Sequence, residues 1–175
     1  MRYLAGMSAN RSAAARAIDA ARAGRIDSLA ALQGTASIDV DASAETTFAV
    51  LTDLDAWPAI IPGVTRMRTH LTSGAGPRPG DTFSWRNQGF PLRSTLQRLE
   101  YPTQVCWTGK ALWIVAAHCN TITELPAGRC RLTSTESMAG FGVSHLMSTS
   151  SLNHQLRLFV EAIAVEAERR ARDSA

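Results

Sequence analysis

The sequence has little of what the more recognisable chemistries require. Its three cysteines, Cys106, Cys119 and Cys130, are odd in number and have neither CxxC nor Cys/His ligand spacing. That argues against a zinc site or a disulfide framework and predicts free buried thiols in a reducing compartment. No uninterrupted apolar stretch approaches the roughly 20 residues that span a bilayer. The N-terminus has no apolar h-region either, so the expected location is cytoplasmic, without stable membrane insertion. The net charge of +3 is confined to residues 1–34, where five arginines face two aspartates, and the remainder holds 13 basic and 13 acidic residues. Nucleic-acid binding needs a basic face, so no nucleic-acid partner is expected. His70, His145 and His154 show no HxxxH or HxH spacing, and neither a metal nor a cofactor is expected. Ser94 lacks a GxSxG context, and Ser73-Gly74-Ala75-Gly76 lacks the lysine and following helix of a phosphate loop.

What is present is the composition of a globular chain of one-domain size: 175 residues, 45% hydrophobic and 19% charged. Residues 12–32 read as an amphipathic helix with a thin apolar stripe of Ile18, Ile26 and Leu29, interrupted by Gly24. We expect residues 1–34 to be a frayed or loosely docked extension and residues 35–175 to be the domain proper. Ala36-Ser-Ile38-Asp-Val40-Asp alternates as a half-buried strand does. Ser43-Ala-Glu45 then opens a helix through Leu51, with Asp41 or Ser43 placed to accept from its free amides. Pro58 suits the first turn of a second short helix, which Pro62-Gly63 ends.

Strands are predicted next at Val64–Leu71, Asp81–Asn87, Leu92–Glu100, Gln104–Thr108, Ile114–Leu125 and Arg129–Ala139. They are separated by Ser73–Pro79, Gln88-Gly89, Tyr101–Thr103, Gly109–Leu112 and Pro126–Gly128. Spacing this tight implies hairpins, hence an antiparallel meander. Thr149–Arg172, free of Gly and Pro, is a long helix with Leu152, Leu156, Phe159, Ile163 and Ala167 on one stripe. The sheet must bend around that stripe. The fold class is therefore α+β, a helix-grip arrangement in which a curved antiparallel sheet wraps a long C-terminal helix, with two short helices after the first strand.

That order and several local phrases resemble the Bet v 1-like or START-related superfamily (SRPBCC), in its bacterial polyketide cyclase/dehydrase branch. The phrases are Ala42-Ser43-Ala44-Glu45-Thr46-Thr47-Phe48, Leu51-Thr52-Asp53-Leu54-Asp55-Ala56-Trp57-Pro58, Gly80-Asp81-Thr82-Phe83-Ser84-Trp85, Ser94-Thr95-Leu96, Trp107-Thr108-Gly109, Ala117-His118 and Thr135-Glu136-Ser137. They cover roughly residues 35–170. The resemblance implies an internal site for a hydrophobic ligand, but the superfamily includes carriers, receptors and cyclases alike. The chain departs from it at Lys110-Ala-Leu-Trp113-Ile-Val and at Asn120, which implies a cavity shaped for a different ligand.

Hairpin arithmetic sharpens the site. If the last turn centres on Ala127 and Gly128, facing residues sum to about 254. Ile122 then opposes Leu132, Asn120 opposes Ser134, and His118 opposes Glu136, all on the inner face. Thr121, Thr123, Arg131, Thr133 and Thr135 fall on a solvated outer face. Phe83 and Trp85 point inward, and Leu96 lies near Trp107. A carboxylate about 5 Å from an imidazole could fix its tautomer or shuttle a proton.

Three readings remain open. The first is a binding or carrier domain for a hydrophobic, ring-containing small molecule, with Trp85, Phe83, Asn120, Ser134, Leu96, Trp107, Leu156 and Phe159 around the ligand. The second is a cofactor-independent cyclase or dehydratase with His118 and Glu136 as acid and base. The third is an interaction module in which the N-terminal helix docks a partner and the cavity is vestigial; under any of the three a monomer or homodimer is expected. The four polar residues could also be a buried network that only satisfies itself, and this plainer reading is placed ahead of catalysis.

Overall fold

The computed structural model describes residues 2–72, 74 and 76–174, with side chains from Ser12 onward. Ser73 and Ala75 of the Gly/Pro loop, together with Met1 and Ala175, lie outside the described residues. The elements are α1 (Arg2–Arg22), β1 (Leu32–Val40), α2 (Ala44–Thr52), α3 (Trp57–Ile60), β2 (Val64–His70), β3 (Thr82–Asn87), β4 (Phe90–Glu100), β5 (Gln104–Ala111), β6 (Ile114–Leu125), β7 (Arg129–Ala139), α4 (Val143–Leu146) and α5 (Thr149–Asp173). The seven strands form one antiparallel sheet in the order β1-β7-β6-β5-β4-β3-β2. This is the helix-grip fold: each hairpin partner is its sequence neighbour, and only β1 crosses over, to pair with β7.

Local chemistry explains the boundaries. The Ser43 side chain accepts from the Thr46 amide and starts α2. Ser148 does the same for α5 through Ser151. Pro58 occupies the first turn of α3, where its missing N–H is harmless. At the Pro126–Gly128 turn, Ala127 and Gly128 both take positive φ, at 63° and 69°.

The concave face of the sheet packs on α5. Leu152, Leu156, Val160 and Ile163 are buried on it, each worth about 1.5–3 kcal/mol of transfer free energy before chain entropy is subtracted. Gly34 on β1 permits the approach, because a Cβ there would lie 2.7 Å from Leu152 Cγ and 2.8 Å from Asn153 Oδ1. Asn153 Oδ1 in turn accepts from the Thr35 amide at 2.8 Å. At the far end of α5, Arg170 reaches Asp53 at 2.7 Å and ties the helix to the end of α2.

The N-terminal segment differs from expectation. The helix spans Arg2–Arg22 rather than 12–32, and β1 begins at Leu32. Gly24, with φ of 73°, follows the helix end instead of interrupting it. The helix is docked on the convex face through its alanines: Ala17 and Ala21 pack on Cys106, Ala117 and Cys119, and Ala13 packs with Ala30, Val115 and Ala139. Of the expected stripe, Ile18 and Ile26 are half-buried and Leu29 is exposed. Small side chains let the helix backbone approach the sheet closely, and a count of large apolar residues misses that. Asp27 secures the following turn: its amide donates to Ser137 Oγ at 3.0 Å, and its buried carboxylate accepts from Arg16 at 3.1 Å. The convex face is therefore solvated around Thr121, Thr123 and Arg131 but covered further along β6.

The cysteines also correct the sequence reading. Cys106 and Cys119 oppose each other across β5 and β6 and form a disulfide, while Cys130 is free and buried. The physical reason is register. The β5–β6 turn is Leu112–Trp113, a few residues later than Gly109–Leu112, so the two thiols become direct cross-strand partners. No helix is long and apolar enough to cross a membrane among the described residues.

Candidate functional site

The last hairpin pairs Ile122 with Leu132, Asn120 with Ser134 and His118 with Glu136, all facing α5. Across the other edge of β6, His118 opposes Trp107 and Asn120 opposes Val105. His118 is thereby sandwiched. Its ring stacks on Trp107 with centroids 4.2 Å apart and planes 14° from parallel, and Phe159 of α5 meets it edge-on at 5.4 Å.

The polar contacts of that ring are asymmetric. Ser134 Oγ lies 2.8 Å from Nε2, a full hydrogen bond. Glu136 Oε2 lies 3.6 Å from Nδ1, a close approach but longer than a direct hydrogen bond. A proton on Nδ1 faces the carboxylate and leaves Nε2 to accept from the serine hydroxyl. Two separate pairs were expected, His118 with Glu136 and Asn120 with Ser134; instead, His118 takes both Ser134 and Glu136. Asn120 is left with one long bond from Nδ2 to the Val105 carbonyl at 3.4 Å. Its Oδ1, fully buried, has no partner among the described residues. Turning the amide over would set Oδ1 against the Val105 carbonyl oxygen, so the orphaned atom is the acceptor.

Around this polar spot the enclosure is aromatic. Trp57, fully buried at the start of α3, sits 5.5–5.9 Å from the rings of Phe83, Trp85, Trp107 and Phe159. Trp85 Nε1 donates to Ser94 Oγ at 3.1 Å. Leu96 is buried opposite Trp107. Leu156 belongs to a separate apolar cluster with Leu32, Val143 and Leu152, away from the tryptophans. Phe83, Trp85, Leu96, Trp107, His118, Asn120, Ser134 and Glu136 thus share one face of the sheet, and Phe159 of α5 packs against it. Trp57 at the centre of the cluster and Ser94 beneath Trp85 were not expected there. The available signal for Trp57 was its position at the head of a short helix packed on the concave side.

In this conformation the rings fill the space between sheet and helix. Trp85 and Phe159 are its two half-buried rings. A groove of about 460 Å³ shown by the described residues lies elsewhere, lined by Arg66, Arg68, Ser84, Trp85, Arg86, Pro91 and Leu92.

Comparison with known proteins follows this geometry. The family model described as polyketide cyclase / dehydrase and lipid transport matches residues 31–162. No protein with a curated description matches the chain. Among solved structures, a hypothetical protein from Helicobacter pylori is 12% identical, with 77% of this chain and 87% of that one covered at a TM-score of 0.69. The Zhui aromatase/cyclase from Streptomyces is 17% identical over 82% of this chain and 97% of its own, with a TM-score of 0.65. A START superfamily protein from Mycobacterium smegmatis is 14% identical over 82% and 99%, with a TM-score of 0.60. At such identities the likeness is one of fold.

Proposed function

This chain belongs to the polyketide cyclase / dehydrase and lipid transport family, and from that premise we propose that it binds a lipophilic, ring-containing small molecule between the concave face of its sheet and α5. We assign that role to residues 35–175, with residues 1–34 an extension over the convex face. The observation that carries the reading is the buried Asn120 Oδ1, without a partner among the described residues and on the same sheet face as His118, whose ring stacks on Trp107. A network that only satisfied itself would have closed on that atom, because a buried acceptor left unpaired costs about 1–3 kcal/mol. A ligand hydroxyl or N–H supplies the missing donor. The rings fill this space in the ligand-free conformation, so binding requires a half-buried ring, Trp85 or Phe159, to swing aside. That opens an apolar pocket with a few convergent polar groups, which suits ligands of this kind.

The test uses 1-naphthol and naphthalene as probes of the full-length protein, followed by quenching of tryptophan fluorescence. One donated hydrogen bond, worth about 0.5–1.5 kcal/mol net, makes 1-naphthol bind roughly 2- to 10-fold more tightly than naphthalene. Asn120→Leu removes that preference. Absence of saturable binding by either probe sinks the proposal.

A second reading, a cofactor-independent cyclase or dehydratase, is favoured by the 3.6 Å approach of Glu136 to His118 and by the fold shared with an aromatase/cyclase. There His118 and Glu136 would exchange a proton with a bound carbonyl or phenol. If His118→Ala and Glu136→Gln change ligand affinity while no turnover is lost, the binding reading stands and the enzyme reading falls.

A further inference from the structure

One end of the sheet holds large apolar side chains out in solvent on three separate connections. Leu112 and Trp113, 69% and 47% exposed, form the β5–β6 turn; Phe141, 93% exposed, follows β7; Phe90, 67% exposed, follows the β3–β4 turn. Trp113 and Phe141 are locked together, since the indole Nε1 donates to the Phe141 carbonyl at 2.9 Å. The connection passes so close that a Cβ on Gly140 would lie 2.8 Å from the Trp113 carbonyl oxygen. These side chains are held outward by their backbones.

Beside them runs a row of cations on the convex face. The register sets Arg68 against Ser84, Ser84 against Arg93, and Arg93 against Lys110, across β2 to β5. Arg86 lies two residues beyond Ser84 on the same face. Arg66, in the bulge of β2, joins Arg68 and Arg86 along the groove of about 460 Å³. None of the five has an ion-pair partner among the described residues. Lys110 is two residues from Leu112, and Arg93 is three from Phe90, so the cations border the apolar tips.

Aromatics and cations also combine at protein interfaces and in single-strand nucleic-acid grooves, but there the two are interleaved on one surface. Here the apolar side chains project from turn tips, and the nearest cations lie two or three residues behind them on the strands. An anionic bilayer uses both. Aromatic and aliphatic side chains enter the boundary between headgroups and acyl chains, while arginine and lysine meet lipid phosphates. We propose that this end of the molecule docks peripherally on an anionic lipid surface, with Leu112, Trp113 and Phe141 inserted and Arg66, Arg68, Arg86, Arg93 and Lys110 facing the headgroups. The proposal goes beyond the ligand reading and stands whether or not that reading does.

The test is co-sedimentation of the full-length protein with vesicles of pure phosphatidylcholine or of phosphatidylcholine with 30% phosphatidylglycerol. Binding to the anionic vesicles is expected, with little to the neutral ones. Arg93→Gln with Lys110→Gln lowers the affinity by about fivefold per charge removed, and Leu112→Ser with Phe141→Ser abolishes binding at unchanged circular dichroism. All substituted positions are on turns or the bare sheet face, and the single variant Phe141→Ser serves if a double variant misfolds. The wild type failing to bind anionic vesicles overturns the proposal. So does binding that the apolar variants leave intact, which is adsorption by charge alone. A wild-type dimer that becomes monomeric in Leu112→Ser with Phe141→Ser, without vesicle binding, overturns it in favour of a second copy as the occupant.

Discussion

Replacing Asn120 with leucine separates a residue kept for a ligand from one kept for the fold. Asn120 is fully buried, its Oδ1 has no partner among the described residues and its Nδ2 makes a single long bond of 3.4 Å. Removing the orphaned acceptor returns about 1–3 kcal/mol of desolvation, and losing the long Nδ2 bond forfeits about 0.5 kcal/mol. Leucine has the same branching and number of heavy atoms, with some extra volume that an aromatic enclosure must absorb. The net expectation, before any overpacking is subtracted, is a stabilisation of about 0.5–2.5 kcal/mol. For a chain of this length that raises Tm by about 1–10 °C, since each kcal/mol moves it by about 2–4 °C. Differential scanning calorimetry and urea denaturation of the ligand-free protein read the change. The same variant loses its preference for a hydroxyl-bearing probe. A destabilisation of 1 kcal/mol or more would show that the folded protein itself uses Oδ1, and the argument from an orphaned acceptor would fall.

Three further outcomes follow from the fold. Gly34→Ala drives a Cβ to 2.7 Å from Leu152 Cγ, so it lowers Tm by an amount matching about 1–3 kcal/mol of overpacking; in a Leu152→Ala background the penalty shrinks, and an additive double variant refutes the contact. Glu166 is held down to about 2 from 4.5, first by the hydrogen bond from Arg169 and then by that from Arg170. Its folded pKa is below its unfolded one, so its contribution is present above pH 4.5 and fades as pH falls toward 2. The urea midpoints of wild type and Glu166→Gln therefore converge across that window, and a gap independent of pH contradicts the assignment. Alkylation of the unfolded chain without reductant modifies one thiol, Cys130, and three after reduction; three in both states would remove the Cys106–Cys119 bond.

The legible parts of the fold were those whose turns carry chemistry. Pro126-Ala127-Gly128 announces a tight turn, and centring the hairpin there gave the His118–Glu136 and Asn120–Ser134 registers in full. The β5–β6 turn has no such mark, because Leu112 takes the positive φ of 52° that glycine or asparagine usually supplies. Glycine signals alone put the turn at Gly109–Leu112, a register in which Cys106 and Cys119 do not face each other. The docking of α1 was illegible for another reason: its buried face is alanine, and close approach of small side chains leaves no hydrophobic stripe to read. Around His118 the facing residues could be read, but not who bonds whom, since Ser134 serves His118 rather than Asn120. Nor could the basic row be found by counting charge along the chain. The acids that balance it are engaged elsewhere, Asp39 with Arg131 and Asp53 with Arg170, and only the register gathers Arg68, Arg93 and Lys110 on one face.

The alanine face of α1 also backs the sheet unevenly. Strand β6 is gripped from both sides, by Ala17 and Ala21 against Ala117 and Cys119 and by Phe159 against His118. Strand β2, at the far edge, has a bulge between Thr65 and Arg68. Backing is thus uneven: β6 is packed on both faces, while β2 is packed on its concave side by α3. Amide hydrogen exchange is therefore expected to be faster in β2 than in β6, with His118 in the slowly exchanging part of the sheet.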